Sequence, residues 1–341
     1  MDSTVIYIST FFENIKKEIA DSVPKDTTLV FLKTIKFHLL KYEVPELEDK
    51  VFASKIEVMF VDLPVLAKYR KNLVNLKWAH TAWNGVDILM KTFEKDEPLP
   101  NFILTKTPGS LNAEHITEYV IGYIIAKERL FFQARKSQQK SKWEQMIYAQ
   151  SRVLSSLTIG ILGAGEIGLH LAKSCKEFKM KVWGLTRREH PPETRSQYID
   201  VYRTTNQLEE LLENCDYICN ILPSTPQTKD MLSGNVLENC KAKKSVFINV
   251  GRGDVVDEES IVKAINNGWL GGAVLDVFHE EPLPSSSSLW NLPGVIVTPH
   301  VSGWSSDGSH TSNLLACFVD NLNRYVTGQP LKGALDWSQG Y

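Results

Sequence analysis

The sequence predicts an α/β protein with two Rossmann-like domains, one central and doubly wound, the other discontinuous and flavodoxin-like. Its 341 residues exceed the about 250–300 residues at which a single hydrophobic core usually stops growing. Short apolar runs also alternate with amphipathic stretches along most of the chain, as in parallel sheets covered by helices. We therefore expect residues 1–111 and 305–341 to form the discontinuous domain, and residues 112–304 to form the central one.

The first hundred residues contain four predicted strands, separated by polar or amphipathic stretches, at residues 5–9, 28–32, 56–61 and 76–80. This spacing favours a small parallel sheet. The loop at residues 81–87 follows the last of these strands and contains Gly85, which permits close approach of the backbone to another group. A plain turn is the alternative interpretation of this loop.

The central domain is predicted from one long helix and six apolar strands. Residues 112–135 are rich in Ile, Tyr, Leu and Ala, a pattern that indicates a single helix connecting the domains, followed by a polar surface stretch at 136–142. Apolar runs with helical spacers then favour a doubly wound sheet, with strands at residues 158–162, 181–185, 217–221, 245–250, 272–276 and 295–298. Residues 309–327 are again helical in pattern, and we expect them to pack on the first domain.

The composition argues against nucleic acid, membrane and metal partners. The 38 basic and 40 acidic side chains give a formal net charge of −2, so there is no basic excess to neutralise a phosphate backbone. No stretch approaches the about 18 apolar residues of a membrane span, and the N-terminus lacks the pattern of a signal peptide. The five cysteines lack short zinc-ligand spacings, so we expect reduced thiols in the cytoplasm, with Cys215 and Cys219 in the core.

A glycine-rich turn in the central domain predicts a dinucleotide-binding site. The strand at residues 158–162 leads into a G-x-G-x-x-G turn and then a helical pattern at 169–179, the turn being formed by Gly163, Ala164, Gly165, Glu166, Ile167 and Gly168. Gly163 permits the tight turn, Gly165 leaves room for a pyrophosphate, and Gly168 lets the helix lie close to the strand. The helix N-terminus attracts the phosphates.

The end of the next strand indicates which dinucleotide is preferred. NAD enzymes usually carry Asp or Glu there, which accepts hydrogen bonds from the ribose 2′-hydroxyl. This chain has Thr186, followed by Arg187 and Arg188. A neutral hydroxyl with two cations suits a 2′-phosphate, so we expect NADP to be preferred, with NAD possible. The alternative is that both arginines are solvated loop charges.

Four motifs follow in order along the rest of the central domain: Asn249 to Gly253 (NVGRG), Gly272 to Phe278 (GAVLDVF), Glu280 to Leu283 (EEPL) and Thr298 to Gly303 (TPHVSG). Together with the glycine-rich turn they resemble the D-isomer-specific 2-hydroxyacid dehydrogenase family, from about residue 76 to residue 341. Thr186, Arg187 and Arg188 are most similar to its glyoxylate/hydroxypyruvate reductase branch. The resemblance is weakest before residue 76.

Three residues of these motifs are predicted to be catalytic. Hydride transfer to a C2 carbonyl leaves negative charge on its oxygen, and His300 is the best candidate to supply the proton. Glu281 would orient the imidazole and favour its protonated form, and Arg252 would bind the 2-oxo acid through a planar fork of donors. The resemblance implies the same three roles. On chemistry alone Glu280 competes with Glu281. Each residue considered alone also has a simpler interpretation, His300 as a loop histidine and Arg252 as a surface charge.

The resemblance implies further contacts. Leu222 and Pro223, together with Thr228, are similar to the loop that borders the cofactor, although packing alone would explain them. The cofactor set also includes Val250 and Asp276, the latter near the nicotinamide-side ribose or carboxamide, with an ion pair as the alternative. Asn84 and Gly85 resemble the backbone clamp for the substrate carboxylate. His80 and Trp83 at most shape the surface around this clamp. Trp304 either covers the substrate or is an aromatic residue packed at the domain interface.

The sequence thus predicts an enzyme that reduces a small 2-oxo acid to the D-2-hydroxy acid with NADPH. One alternative is a D-lactate or D-glycerate dehydrogenase that works in the oxidising direction. Another is a dinucleotide-sensing, corepressor-like interaction protein, but the intact set of Arg252, Glu281 and His300 favours an enzyme. The resemblance also implies a homodimer.

Overall fold

In the computed structural model of this chain, the described residues are 4–38, 41–46, 53–94, 96–304 and 308–337. The chain divides into two compact units, Met1–Leu111 with Ser305–Tyr341, and Asn112–Trp304. The strands are β1 (Thr4–Ser9), β2 (Thr27–Phe31), β3 (Lys36–His38), β4 (Lys41–Glu43), β5 (Val58–Val61), β6 (Trp78–Thr81), β7 (Ile103–Lys106), β8 (Thr158–Leu162), β9 (Lys181–Thr186), β10 (Val201–Thr204), β11 (Tyr217–Asn220), β12 (Val246–Asn249), β13 (Gly272–Leu275) and β14 (Val295–Val297). The helices are α1 (Glu13–Ser22), α2 (Leu63–Tyr69), α3 (Asp87–Met90), α4 (Gly109–Glu128), α5 (Phe131–Gln139), α6 (Glu166–Glu177), α7 (Leu208–Asn214), α8 (Glu258–Asn266) and α9 (Gly308–Val326).

The first unit contains a parallel sheet with the strand order β2-β1-β5-β6-β7 among its described residues. This order is that of flavodoxin-like folds, so the predicted fold class is confirmed. Strand β7 has no counterpart in the four predicted strands, because only Ile103 and Leu104 of its four residues are apolar and Ile103 is exposed. Helix α9 packs beside α1, and its buried Leu315 and Phe318 join the core on that side of the sheet.

The second unit contains a parallel sheet with the strand order β10-β9-β8-β11-β12-β13-β14 within the described part of the chain. This is the doubly wound arrangement, which confirms the predicted class. The prediction of six strands was wrong by one, because it missed the edge strand β10. All four residues of β10 are half-buried and its sequence, VYRT, contains no continuous apolar run.

The predicted helix over residues 112–135 is in fact two helices, α4 and α5. Leu130 separates them with a left-handed backbone (φ 55°), which ends the first helix. This break could not be predicted from the sequence, because a leucine rarely adopts a positive φ and neither glycine nor proline lies nearby. Val120 and Ile124 of α4 are fully buried in the core, whereas Phe131 and Phe132 of α5 are exposed.

The core of the second unit lies on both faces of its sheet. Cys215 and Cys219 are fully buried within it, as expected of core residues, and all five cysteines are free thiols. No helix of the described residues is long and apolar enough to span a lipid bilayer.

Candidate active site

The glycine-rich turn connects β8 directly to α6. Gly163 has a positive φ of 105°, a conformation that favours glycine, and a Cβ atom at Gly168 would clash with the carbonyl oxygen of Gly163. Helix α6 begins at Glu166, three residues earlier than the sequence pattern indicates, with Gly165 as its N-cap. The turn is therefore held in its tight form by sterics that only glycine satisfies.

The same turn fits the pyrophosphate of a dinucleotide. A Cβ atom built at Gly165 would meet no heavy atom of the described residues within 4 Å, so the space in front of the helix is open. Gly165 contributes no side chain to cap the helix, and the first turn of α6 presents backbone N–H groups at its positive end. Ala164 N–H donates to Leu185 O at 3.2 Å, which ties the turn to β9. An anion at this position would be stabilised by the helix N-terminus.

Thr186 is the last residue of β9 and lies at the same edge of the sheet. Its hydroxyl donates to the carbonyl oxygen of Arg188 at 2.8 Å, which closes a short turn after the strand. Arg187 and Arg188 are both exposed. Thr186 at the strand end is neutral, and the two arginines outnumber the one acidic side chain that follows them, Glu189.

Two buried asparagines organise the loops after β11 and β12. Asn220 Nδ2 donates to Asn249 Oδ1 at 2.8 Å, and both side chains are almost inaccessible to solvent. Asn220 Oδ1 accepts from Leu222 N–H at 3.2 Å, and Asn249 Nδ2 donates to Arg252 O at 3.1 Å. This pair fixes the backbone of Leu222 and Arg252 relative to each other. Val250 also joins this arrangement, because its N–H donates to Asn220 O at 3.1 Å.

The loop with Pro223 and Thr228 is closed by its own hydrogen bonds. Thr228 Oγ1 donates to Pro223 O at 2.6 Å and accepts from Thr225 N–H at 2.9 Å. Arg252 lies in the loop after β12 and is half-buried. Its Nη1 donates to Gly251 O at 2.8 Å. The carbonyl of the preceding residue thus binds the guanidinium.

His300 and Glu281 form a hydrogen-bonded pair. His300 Nδ1 lies 2.7 Å from Glu281 Oε2, and Glu281 Oε1 accepts from Phe278 N–H at 2.9 Å. This hydrogen bond pairs the histidine with Glu281 and not with its neighbour Glu280. Because Nδ1 is engaged, Nε2 is the ring nitrogen that remains for proton transfer.

The electrostatics of this pair favour the imidazolium. Partial removal of His300 from solvent acts to lower its pKa, but the hydrogen bond and the charge of Glu281 outweigh it and the pKa lies above the ordinary 6.5. Arg252 opposes this rise and Asp276 adds to it. The arrangement can therefore hold a proton at Nε2 near neutral pH and deliver it to an acceptor.

Asp276 follows β13 and is fully buried. Its carboxylate accepts hydrogen bonds from Thr298 Oγ1 and from the N–H groups of Val301 and Ser302. An ion pair was the alternative role predicted for Asp276. These hydrogen bonds do not support it, since all three donors are neutral. Trp304, at the end of this segment, is two-thirds exposed.

Comparison with known proteins places the chain in a family. A model of the NAD-binding domain of D-isomer specific 2-hydroxyacid dehydrogenases matches residues 121–302. Glyoxylate/hydroxypyruvate reductase B of Serratia proteamaculans is 36% identical over 231 residues, which are 67% of this chain and 69% of that protein. This chain belongs to the D-isomer specific 2-hydroxyacid dehydrogenases. Glyoxylate/hydroxypyruvate reductase A of Escherichia fergusonii is 31% identical over 261 residues, 75% of this chain and 79% of that protein.

Solved structures of the family share the fold of this dehydrogenase over almost its whole length. A D-isomer specific 2-hydroxyacid dehydrogenase family protein from Aeromonas salmonicida is 25% identical with a TM-score of 0.79, over 98% of this chain and 99% of that chain. An NADPH-dependent glyoxylate/hydroxypyruvate reductase from Sinorhizobium meliloti, in complex with NADP and sulfate, is 22% identical with a TM-score of 0.79, over 99% and 100%.

The first unit of this dehydrogenase carries Asn84 and Gly85 in the loop after β6, at the carboxyl edge of its own sheet. The Oδ1 atom of Asn84 is buried and has no hydrogen-bond partner within the described residues. His80 is fully buried, and burial lowers its pKa to about 3, so its imidazole is neutral. Its Nδ1 lies 2.8 Å from Thr105 Oγ1, which gives this histidine a role in the core.

Sequence reasoning missed Asp62 and Asn220. Asp62 follows β5, is fully buried, and accepts from Phe11 N–H at 2.7 Å and from Trp83 Nε1 at 3.2 Å. Burial raises the pKa of its carboxyl to about 6. Each is a polar residue directly at or after the end of an apolar strand, and that position is the signal that could have found them.

Proposed function

We propose that this dehydrogenase reduces a short 2-oxo acid of the glyoxylate or hydroxypyruvate type to the D-2-hydroxy acid, with NADPH as reductant. The observation that carries the proposal is the 2.7 Å pair of His300 and Glu281, with the pKa of His300 raised, in the same unit as the glycine-rich turn. The names of the two reductases that are 36% and 31% identical support the choice of substrate.

The proposed mechanism assigns one task to each side chain. When bound, the dinucleotide would supply the hydride that C2 of the substrate accepts. His300 donates the proton from Nε2 to the carbonyl oxygen as negative charge develops there. Glu281 holds the imidazole by Nδ1 and stabilises its protonated form. Arg252 binds the carboxylate and orients the carbonyl, which aligns C2 for attack.

We assign the dinucleotide to the carboxyl edge of the second sheet. The glycine-rich turn would hold the pyrophosphate, and Thr186, Arg187 and Arg188 would select the 2′-phosphate of NADPH, because a neutral residue ends the strand and two cations follow it. The borders of the nicotinamide half would be Leu222, Pro223, Thr228 and Val250, whose backbones are fixed by hydrogen bonds. For Asn84 and Gly85 of the first unit, binding of the substrate carboxylate through backbone N–H groups stays a prediction from the family resemblance.

We further propose that two copies of the chain associate in the cytoplasm. Phe131 and Phe132 are exposed on α5, Met146 is 80% exposed on the turn at Gln145–Gln150, and Trp143 between these two elements is 92% exposed. Exposed apolar groups of this size favour a protein interface. Light scattering on the purified protein should give twice the 38.6 kDa mass of one chain, and a mass of one chain would refute the dimer.

An absorbance assay at the nicotinamide band tests the function. Purified enzyme is mixed with NADPH or NADH and with glyoxylate, hydroxypyruvate, pyruvate or a bulky 2-oxo acid. The proposal predicts the highest kcat/KM for NADPH with glyoxylate or hydroxypyruvate. In a parallel assay with NADP+ or NAD+, a higher kcat/KM for D-lactate or D-glycerate than for any 2-oxo acid would instead support the oxidising direction. Dinucleotide binding without turnover in either assay would support a sensing protein.

A further inference from the structure

The carboxylate of Asp276 is bound on both oxygens by one short segment, residues 298–302. Thr298 Oγ1 donates to Oδ1 at 2.5 Å, Val301 N–H donates to Oδ1 at 2.9 Å, and Ser302 N–H donates to Oδ2 at 2.8 Å. The donors lie on both sides of His300 in the chain. A carboxylate can accept about four hydrogen bonds, so three of its positions are already used by this segment.

The backbone of Asp276 also binds this segment. His300 N–H donates to Asp276 O at 2.8 Å, and His300 itself has a positive φ of 55°. A residue with a Cβ atom rarely adopts this left-handed conformation, and it persists only where the surroundings enforce it. The contacts from Asp276 hold the segment on both sides of His300.

Helix α4 continues this network. Tyr119 and Thr298 are joined through their hydroxyl oxygens at 2.6 Å. Because the Thr298 proton goes to Asp276, the Tyr119 hydroxyl must be the donor in this bond. Tyr119, Thr298 and Asp276 thus form a directional chain of hydrogen bonds that ends on a buried carboxylate. Such a chain is rigid when every member is satisfied.

We infer that Asp276 is a positioning residue for His300, which it acts on by fixing the backbone of the segment that carries the imidazole. The inference rests on the proposed function, in which His300 is the general acid. It differs from the expectation drawn from the family resemblance, in which Asp276 contacts the nicotinamide half of the cofactor. The two roles predict different effects on dinucleotide affinity.

Asp276→Asn is the test variant. Whichever way the amide is turned, its NH2 group faces a backbone N–H of Val301 or Ser302, so at least one of these donors loses its acceptor. Displacement of the segment should lower kcat about 10–100-fold, since small errors in the position of a catalytic group cost this much. The Kd of NADPH, measured by fluorescence titration, should stay within about twofold of the wild-type value.

The pH profile supplies a readout that a merely structural role would not move. The charged groups facing His300 are Glu281, Arg252 and Asp276, and of these Glu281 and Asp276 stabilise its protonated form. Asp276→Asn removes one of the two anions, so the fall of kcat at high pH should begin at lower pH. Thr298→Val is the matched control, because it removes the hydroxyl with its hydrogen bonds to Asp276 and Tyr119 but keeps the carboxylate. It should lower kcat less and leave the pH of the fall in place.

A weakened NADPH affinity with normal kcat at saturating NADPH would overturn the inference in favour of the cofactor role. A normal kcat with an unmoved pH profile would overturn it as well. Two readouts do not need activity: NMR titration of the His300 imidazole, which should show a lower pKa in Asp276→Asn, and faster hydrogen exchange of the Val301 and Ser302 amides. A wild-type enzyme without reductase activity would refute the proposed function, while these two readouts would still decide the role of Asp276.

Discussion

Replacement of Glu281 by glutamine removes a charge from the active-site pair and leaves its shape almost unchanged. Glu281 Oε2 lies 2.7 Å from His300 Nδ1, and its other oxygen accepts from Phe278 N–H at 2.9 Å. Desolvation of His300 persists in the variant, whereas the anion that outweighs it is gone. The pKa of His300 should therefore fall towards or below its ordinary value of 6.5.

The size of this fall follows from the hydrogen bond. A bond to a charged group contributes about 1.5–3 kcal/mol and a neutral one about 0.5–1.5 kcal/mol, so the loss is about 1–1.5 kcal/mol, or roughly one pKa unit. The side chains of His300 and Glu281 are 50% and 34% exposed, and solvent screens part of their interaction. We expect a shift of about 0.5–1 unit after this discount.

The assay is the pH dependence of kcat/KM for reduction. Reduction needs protonated His300, so the rate falls as pH rises through its pKa, and in Glu281→Gln this fall should occur about 0.5–1 pH unit lower. Glu280→Gln is the matched control, since it removes the same charge from the exposed neighbour and should leave the profile in place. An unmoved profile in Glu281→Gln, or an equal shift in both variants, would refute the assignment of Glu281.

Protein stability should show the same linkage. The pKa of His300 is raised in the folded protein, so the stability that the pair contributes is fully present below about pH 6.5 and is lost as pH rises through the raised pKa. Glu281→Gln should therefore lower the Tm more at about pH 5.5 than at about pH 8.5. An equal loss of Tm at both values would mean that the variant acts through packing alone.

Four other substitutions test the remaining roles. His300→Gln should retain NADPH binding and lose about 10²–10⁴-fold in kcat, because an amide cannot deliver the proton, and near-normal turnover of the folded variant would remove His300 from the role. Arg252→Lys should raise the KM for the 2-oxo acid and lower kcat, since the charge remains but the planar fork is lost, and wild-type kinetics would exclude contact with substrate. Arg187→Ala should raise the KM for NADPH about tenfold to a hundredfold with little effect on NADH, and Thr186→Asp added to it should reverse the preference. Equal use of both dinucleotides by the wild-type enzyme would contradict this last prediction.

Strands with continuous apolar runs could be predicted from the sequence, even the half-buried β14, whereas a strand without such a run could not. The runs at β8 and β12 are buried on both faces, so every residue is apolar or nearly so. Strand β10 is an edge strand whose four residues are all half-buried. Its arginine and threonine interrupt the apolar run that would have predicted it. The break at Leu130 is a tertiary effect, because the local sequence contains no residue that favours it.

The candidate site shows the same limit. The glycine-rich turn depends on local steric contacts that require glycine, so it could be predicted from the sequence. The choice between Glu280 and Glu281 depended on the family resemblance, because two adjacent glutamates are chemically equal until the backbone directs one of them to His300. The contacts of Asp276 lie 22 to 26 positions away along the chain, in a segment whose path no local pattern predicts.

The most direct test of the account is the product formed from hydroxypyruvate and NADPH by the purified wild-type enzyme. The account predicts that NADPH absorbance falls in step with the appearance of D-glycerate, at one equivalent each, and that His300→Gln gives neither at a comparable rate. L-glycerate as the product, or no consumption of NADPH with any short 2-oxo acid, would contradict it.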